Sequence, residues 1–457
     1  MKKVKKLNSI LLLVALLMTG CASKEEPATT EATTTNAEQT TEATTEADPL
    51  SAYTKENPIK ITFWNFPNFT GDSEYGKGDY DLALIKAFEE AHPNVKVEYQ
   101  AIEFTDGPAK LETAIQSRTN PDVVYDAPGR VIDWASKGYL IPLDDMVDKT
   151  TLLQAAVTAS SYEDSLYLYP QGVAPFMMGF NKGMLEEMGL LDMLPLDKEN
   201  RAWSVEEYEA LLTAIHEKNP EIAPAIMFAK SQGGDQGPRA FVSNLYGSWI
   251  TNDEVTAYTI NDENGVKAME WVKQAYDKGL LGQGIALDAG ESIEAFRSGL
   301  AASTILYSPG LYRPDMIAKA FTPVLVPYPN NTGTPELEYL VAGPCIFENG
   351  DADKAAASKL FVDFMINDAD WGKRTLLSTG NFSAKNGETG LYDDAELVFA
   401  EKMSMYFGTY YNTIPGFAQM RTAWFPMVQG VLNGDQSPKE SLDAFVEFAN
   451  NSIEDAK

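Results

Sequence analysis

Three aromatic side chains close apolar runs in this sequence: Trp64 after 59–63, Tyr125 beside Asp126, and Tyr307 after 301–306. Ring faces stack on the C–H faces of a sugar, and a carboxylate accepts its hydroxyls. Rings beside an acid therefore suit a neutral polyol. In open α/β sheets ligands settle outside the carboxyl ends of strands, which is where these residues would stand. Any one such ring, Trp203 included, also suits a packed core. Other chemistries find less support. Carboxylates abound, yet none stands in a catalytic motif, and neither G-x-S-x-G nor H-E-x-x-H occurs. Residues 71–77 spell G-x4-G-K, but Gly78 replaces the Ser or Thr of a phosphate loop. Asp72 and Glu74 would also face the phosphate, so the segment reads as a turn. Residues 261–265 resemble a calcium loop faintly; their acid spacing fails, and they read as a helix N-terminus. The two histidines, His92 and His216, form no cluster with cysteine, so neither a zinc site nor another metal site is expected. No motif calls for a cofactor.

These residues need elements to hold them. Residues 59–64 alternate and are β-branched, which predicts a strand. A helix is expected over 79–91, with Leu82, Ile85 and Phe88 on one face and His92-Pro93 as its stop. Strands at 95–99 and 121–126 flank a helix at 110–117. Strand, helix, strand, helix, strand within about 70 residues implies parallel pairing with helices on both faces. Ser204 and Glu207 form a capping box that opens a helix over 205–218. Further helices are expected at 264–279, 293–298, 352–367, 394–406 and 438–454, and a strand at 301–306. The proline-rich stretch 323–344 reads as a connection between lobes.

The N-terminus speaks to location. Four lysines precede the apolar run 10–17, which is too short to span a bilayer. Residues 17–21, Leu-Met-Thr-Gly-Cys, resemble the lipobox of bacterial lipoproteins, with Met18 where leucine is commonest. That resemblance implies cleavage after residue 20 and a diacylglyceryl group on Cys21; the alternative is an ordinary secretory signal. Residues 22–48 are mostly Thr, Ala and Glu, and bury too little surface to order themselves. Residues 21–57 are thus expected to be a disordered tether. Two acyl chains on Cys21 would anchor it stably.

Net charge is −30, and about −34 once the four lysines of the signal are removed. Such acidity disfavours nucleic acid and anionic lipid surfaces. With Cys21 acylated, Cys345 stands alone and is expected to be a buried packing residue.

From 59 to 453 the chain resembles the extracellular solute-binding proteins of ABC importers, in their maltose-binding-protein-like carbohydrate group. Residues 61–66 resemble the opening strand with its tryptophan, and 88–97 the next helix, its His-Pro exit and the second strand. Residues 121–126 and 138–145 resemble the group's "PDV" strand and "G-L-x-P-L-D" turn, and 424–434 its late helix. The resemblance implies an α/β, two-lobed periplasmic-binding-protein-like fold of type II. Central mixed sheets would be flanked by helices, with a hinge between lobes. The lobes are expected to be 58–170 with 300–345, and 171–299 with 346–457. By the family pattern Trp64 and Asp126 line the cleft, with Gln171, Tyr307, Trp424 and Trp249 near other contact positions. At 307–310 the chain departs from the group's Gly-x-Trp. Arg130 and Arg239 could reach the cleft and would favour an acidic or phosphorylated sugar.

The expectation is a monomeric, lipid-anchored binding component of an ABC importer on the outer face of the cell membrane. It would capture a sugar or oligosaccharide without chemistry and deliver it to the permease subunits. The runner-up is an exported glycoside hydrolase, which needs two facing carboxylates. A third reading keeps the fold and binds an organic phosphate or peptide.

Overall fold

This is a computed structural model that describes residues 49–456 apart from residue 105. The expected signal peptide, Cys21 and residues 22–48 lie outside the described residues. The end of the expected tether does not match a disordered segment. Leu50 is buried in the hydrophobic cluster that includes Ile59, Phe88 and Phe361, and the Tyr53 hydroxyl donates to Asp353 at 2.9 Å. Leu50 and Tyr53 are large side chains with partners in the folded body, so 49–57 does not behave as the tether expected of it.

Strand β1 (Ile59–Asn65) pairs in parallel with β2 (Val95–Ala101) and β3 (Val123–Asp126). Helices α1 (Asp79–Ala91) and α2 (Gly107–Gln116) connect them. The sheet continues through antiparallel strands Tyr339–Ile346, Gly172–Pro175 and Phe382–Ser383. Alternate β1 residues Ile61 and Phe63 are fully buried on one face. There Phe63 meets Phe361 edge-on at 5.2 Å, and Phe88 meets the same ring at 5.0 Å. A buried phenylalanine of this kind is worth about 3–5 kcal/mol against alanine. The apolar stripe of α1 is Tyr80, Leu84, Ile85 and Phe88. Leu82, expected on it, is 55% exposed, because two residues along a helix is more than half a turn away.

A second sheet places Met177–Asn181 between Ser303–Tyr307 and Pro323–Val326, all antiparallel. Ala225–Ile226 and Leu281–Gly282 pair in parallel beside it, with a bridge from Ala223 to Ala301. The capping box forms as expected: Glu207 N donates to Ser204 Oγ at 3.1 Å, and Ser204 N to Glu207 at 2.7 Å. Asp262 caps the helix Glu263–Asp277, which makes 261–265 a helix start. Cys345 is buried in the first sheet, in the packing role expected of it.

The sheets redraw the expected lobes. Residues 303–307 and 323–326 hydrogen-bond within the second sheet, and of the stretch 300–345 only 339–345 joins the first. Helix Ala352–Asn367 packs on β1, so 352–367 belongs to the first sheet and not to the second, as expected for 346–457. The proline-rich stretch does cross between the sheets over 327–338, but its ends are strands, and Pro323 starts an edge strand, where a missing N–H costs little. The chain passes between the sheets at Phe176, over 327–338 and over 384–394. Two of these passages are bonded to each other, Phe176 N donating to the Glu338 carbonyl at 2.9 Å.

Candidate functional site

The carboxyl ends of β1 and β3 meet at one rim of the first sheet. Trp64 points away from the Phe63 face and is half-buried, with Lys110 Nζ 5.5 Å from its ring centre. Asp126 ends β3, and helix α3 (Pro128–Ser136) starts two residues later. That spacing puts Arg130 four residues on, back over the carboxylate. Arg130 Nε donates to Asp126 Oδ2 at 2.7 Å, Nη2 donates to Oδ1, and Ala127 N donates to Oδ1 at 2.8 Å. Asp126 is 3% exposed, and so its charge requires such a partner. The Arg130 guanidinium lies 4.8 Å from the centre of the Phe66 ring.

A second charged group is built by the helix Gln236–Tyr246, the loop 407–416, the helix Phe417–Asn433 and the passage 327–338. Asp235 and Arg239 are fully buried and paired. Arg421 donates to both oxygens of Asp235 at 2.8 and 2.7 Å. Arg239 Nε donates to the Tyr411 hydroxyl at 2.6 Å, and that hydroxyl donates to Glu338. Glu338 also lies 3.7 Å from Arg239. Burial pushes the Glu338 carboxyl up to about 7, with Asp235 adding to the push and Arg239, Tyr411 and Arg421 opposing it. Phe417 lies under both guanidinium groups, at 5.5 and 5.8 Å.

The two groups face each other. The first turn of α3 rests on the loop, so close that a β-carbon on Gly129 would sit 3.2 Å from the Phe417 ring and 3.3 Å from the Asn412 carbonyl. Tyr410 lies between them: burial raises its hydroxyl pKa, and Glu338 and Asp126 both add to that. Beside Glu338 and Tyr411 is a cavity of about 30 Å³, lined also by Trp249, Ser243, Thr251 and Glu336. It has room for a water or two and not for a sugar ring.

Trp64, Asp126 and Arg130 are thus brought together, and Trp249 lies near the second group. Three expected contact residues lie in the core instead. Gln171 is 5% exposed; it accepts from the Tyr125 hydroxyl at 2.9 Å and donates to the Met365 carbonyl at 3.3 Å. Tyr307 is fully buried, edge-on to Phe296, and its hydroxyl donates to Asp315 at 2.5 Å. Trp424 is fully buried against Phe445. It lies on the inner face of its helix with Val428 and Val431, and Arg421, one turn earlier on that face, reaches Asp235. Nor do the arginines favour an anionic ligand, since Arg130 and Arg239 are each neutralised by an aspartate of this chain. Sequence reading missed Asp235, Glu338, Tyr411 and Arg421. The spacing of four between Asp235 and Arg239 was the one local sign. Among the described residues, no group of three or more His, Cys, Asp or Glu is placed to hold a metal ion. Among them too, no helix is long and apolar enough to cross a membrane.

The family model for bacterial extracellular solute-binding proteins matches residues 72–370, well over half the chain. An uncharacterized ABC transporter extracellular-binding protein of Pyrococcus horikoshii is 25% identical over 156 residues, 34% of this chain. The match spans about a third, 35%, of that relative. Among solved structures, the GacH receptor of Streptomyces glaucescens, studied unliganded and with acarbose, is similar with a TM-score of 0.71. It is 22% identical and covers 87% of this chain and 99% of its own. A solute-binding protein of Thermotoga lettingae bound to α-D-tagatose gives a TM-score of 0.72 at 18% identity, over 86% and 99% of the chains. A substrate-binding protein of Listeria monocytogenes in complex with cycloalternan gives 0.70 at 19% identity, over 87% and 99%. The fold shared with them is the α/β periplasmic-binding-protein-like fold, mixed sheets flanked by helices.

Proposed function

Since this chain belongs to the bacterial extracellular solute-binding protein family, a non-enzymatic one, we propose that it is the lipid-anchored substrate-binding component of an ABC importer. Its ligand is a neutral sugar or oligosaccharide, taken between two lobes built on the two sheets. The observation that carries this reading is the rim where β1 and β3 end, with a ring, an acid and an arginine, facing the loop 407–416. Asp126 paired to Arg130 presents acceptor and donor together, which suits hydroxyls better than a charged group. A second set of acceptors and donors stands opposite, Asp235 with Arg239 and Arg421 beside Glu338 and Tyr411. The solved relatives bound to acarbose, tagatose and cycloalternan support the ligand class.

Capture follows from two facing surfaces. The first turn of α3 rests on Asn412 and Phe417, so entry between the surfaces requires the sheets to part at Phe176, 327–338 and 384–394. A ligand that touches both surfaces favours their approach by its differential affinity. The permease then receives the loaded form.

A thermal-shift and calorimetric panel of mono- and oligosaccharides, organic phosphates and short peptides tests the proposal. A neutral carbohydrate should raise the unfolding midpoint. Asp126→Ala should weaken its binding by about tenfold or more, because it strands Arg130 as well as the ligand's hydroxyls. A panel in which only phosphates or peptides bind would replace the ligand class, and unchanged affinity in Asp126→Ala would move the site.

A further inference from the structure

Phe104 is one of few large apolar side chains left in water, at 54% exposed. Exposure alone says little, since single apolar residues are common on surfaces. Its support is what distinguishes it. The ring lies parallel to that of Phe66, with centres 4.9 Å apart and planes 6° from coincident. Phe66 is itself buried, and its ring is 4.8 Å from the Arg130 guanidinium that holds Asp126. Phe66 thus touches both the guanidinium of the rim ion pair and the exposed outer ring.

The stack is fixed from below. Ile102 is buried and its N–H donates to the Asn65 carbonyl at 3.0 Å, which ties the end of β2 to the end of β1. Gly107 opens α2 directly against Phe66, and a β-carbon there would come 2.8 Å from the ring. Only glycine lets the helix start so close, so Phe66 is held against the start of α2 as well as beside Arg130. Phe104 packs one face on Phe66 and still keeps 54% of its surface in water. A preset ring of this kind costs little entropy to use.

We propose that Phe104 is an outer platform of the ligand site, stacking on a pyranose unit beyond the one held at Asp126 and Arg130. This rests on the carbohydrate reading above and deepens it: the ligand is an oligosaccharide rather than a monosaccharide. The axial C–H bonds of a pyranose carry partial positive charge, and the face of a benzene ring carries negative. Phe66 lies 4.8 Å from the Arg130 guanidinium and 4.9 Å from Phe104, so the exposed ring stands one buried ring away from the ion pair. An added sugar unit therefore meets the ring, while the first unit stays at the ion pair.

Isothermal titration of the full chain and of Phe104→Ala and Phe104→Trp tests this, with malto- and cello-oligosaccharides of one to five units as probes. Phe104→Ala should weaken the longer oligomers of a bound series by about 3- to 10-fold and leave the shortest bound member unchanged. Phe104→Trp should restore the longer ones. Equal loss at every length, or no loss at any, overturns the platform while the carbohydrate reading stands. A wild-type chain that binds neither these series nor any other sugar overturns both.

Discussion

Glu338 belongs to the passage between sheets through its backbone and to the buried charges through its side chain. Burial raises its carboxyl from 4.5 to about 7, against Arg239 and Arg421 and with the help of Asp235. Between those two values the folded chain holds a proton that the unfolded chain releases. The stability this group contributes is therefore full below about pH 4.5 and is lost as pH rises through about 7. Glu338→Gln, which keeps the shape and cannot titrate, should flatten that fall. Unfolding midpoints measured from pH 4.5 to 7.5 would show it, and identical slopes in both proteins would mean Glu338 does not carry this proton. Asp126 teaches a related lesson about single residues. Its type and place at a strand end were legible, while its ion pair with Arg130 was not expected, although the spacing of four is written in the chain.

At the scale of elements, contact between α3 and the helix Phe417–Asn433 holds the two facing surfaces together. Gly129 permits it: its neighbours leave 3.2 to 3.3 Å for a β-carbon, tighter than ordinary packing. Gly129→Val would overfill that gap, a change that typically costs about 1–3 kcal/mol. The cost falls on the approach of the surfaces, so ligand affinity should drop about 5- to 100-fold with a smaller change in the ligand-free midpoint. Calorimetry beside a melting curve separates the two, and unchanged affinity would mean the contact plays no part in capture. Several elements were readable from local pattern alone. Asp79–Ala91, Val205–Lys218 and Ala352–Asn367 lie where periodicity and capping put them. Gly172–Pro175, Met177–Asn181 and Gln236–Tyr246 were missed as elements. The first two are buried throughout, so they show no alternation to betray a strand.

For the molecule as a whole, the proposed anchor is testable apart from the fold. Cys21→Ser should move the protein from the membrane fraction to the medium and leave ligand binding unchanged, since residues 49–456 form the body. Fractionation of cells with labelled fatty acid checks it, and continued acylation of the variant would refute the anchor. By itself the sequence determined the class of the chain, the order of its first strands and helices, and the rim where Trp64 and Asp126 stand. The elements follow from neighbours a few residues apart, whose spacing sets which face is buried, and the class follows from motifs that resemble the family's in order along the chain. Tertiary structure alone decided that Gln171, Tyr307 and Trp424 face the core and that Arg421 reaches Asp235, 186 positions away. It also decided which sheet takes residues 303–307 and 323–326. A side chain's burial and a strand's partner are fixed by residues distant in the chain, and no local period encodes them.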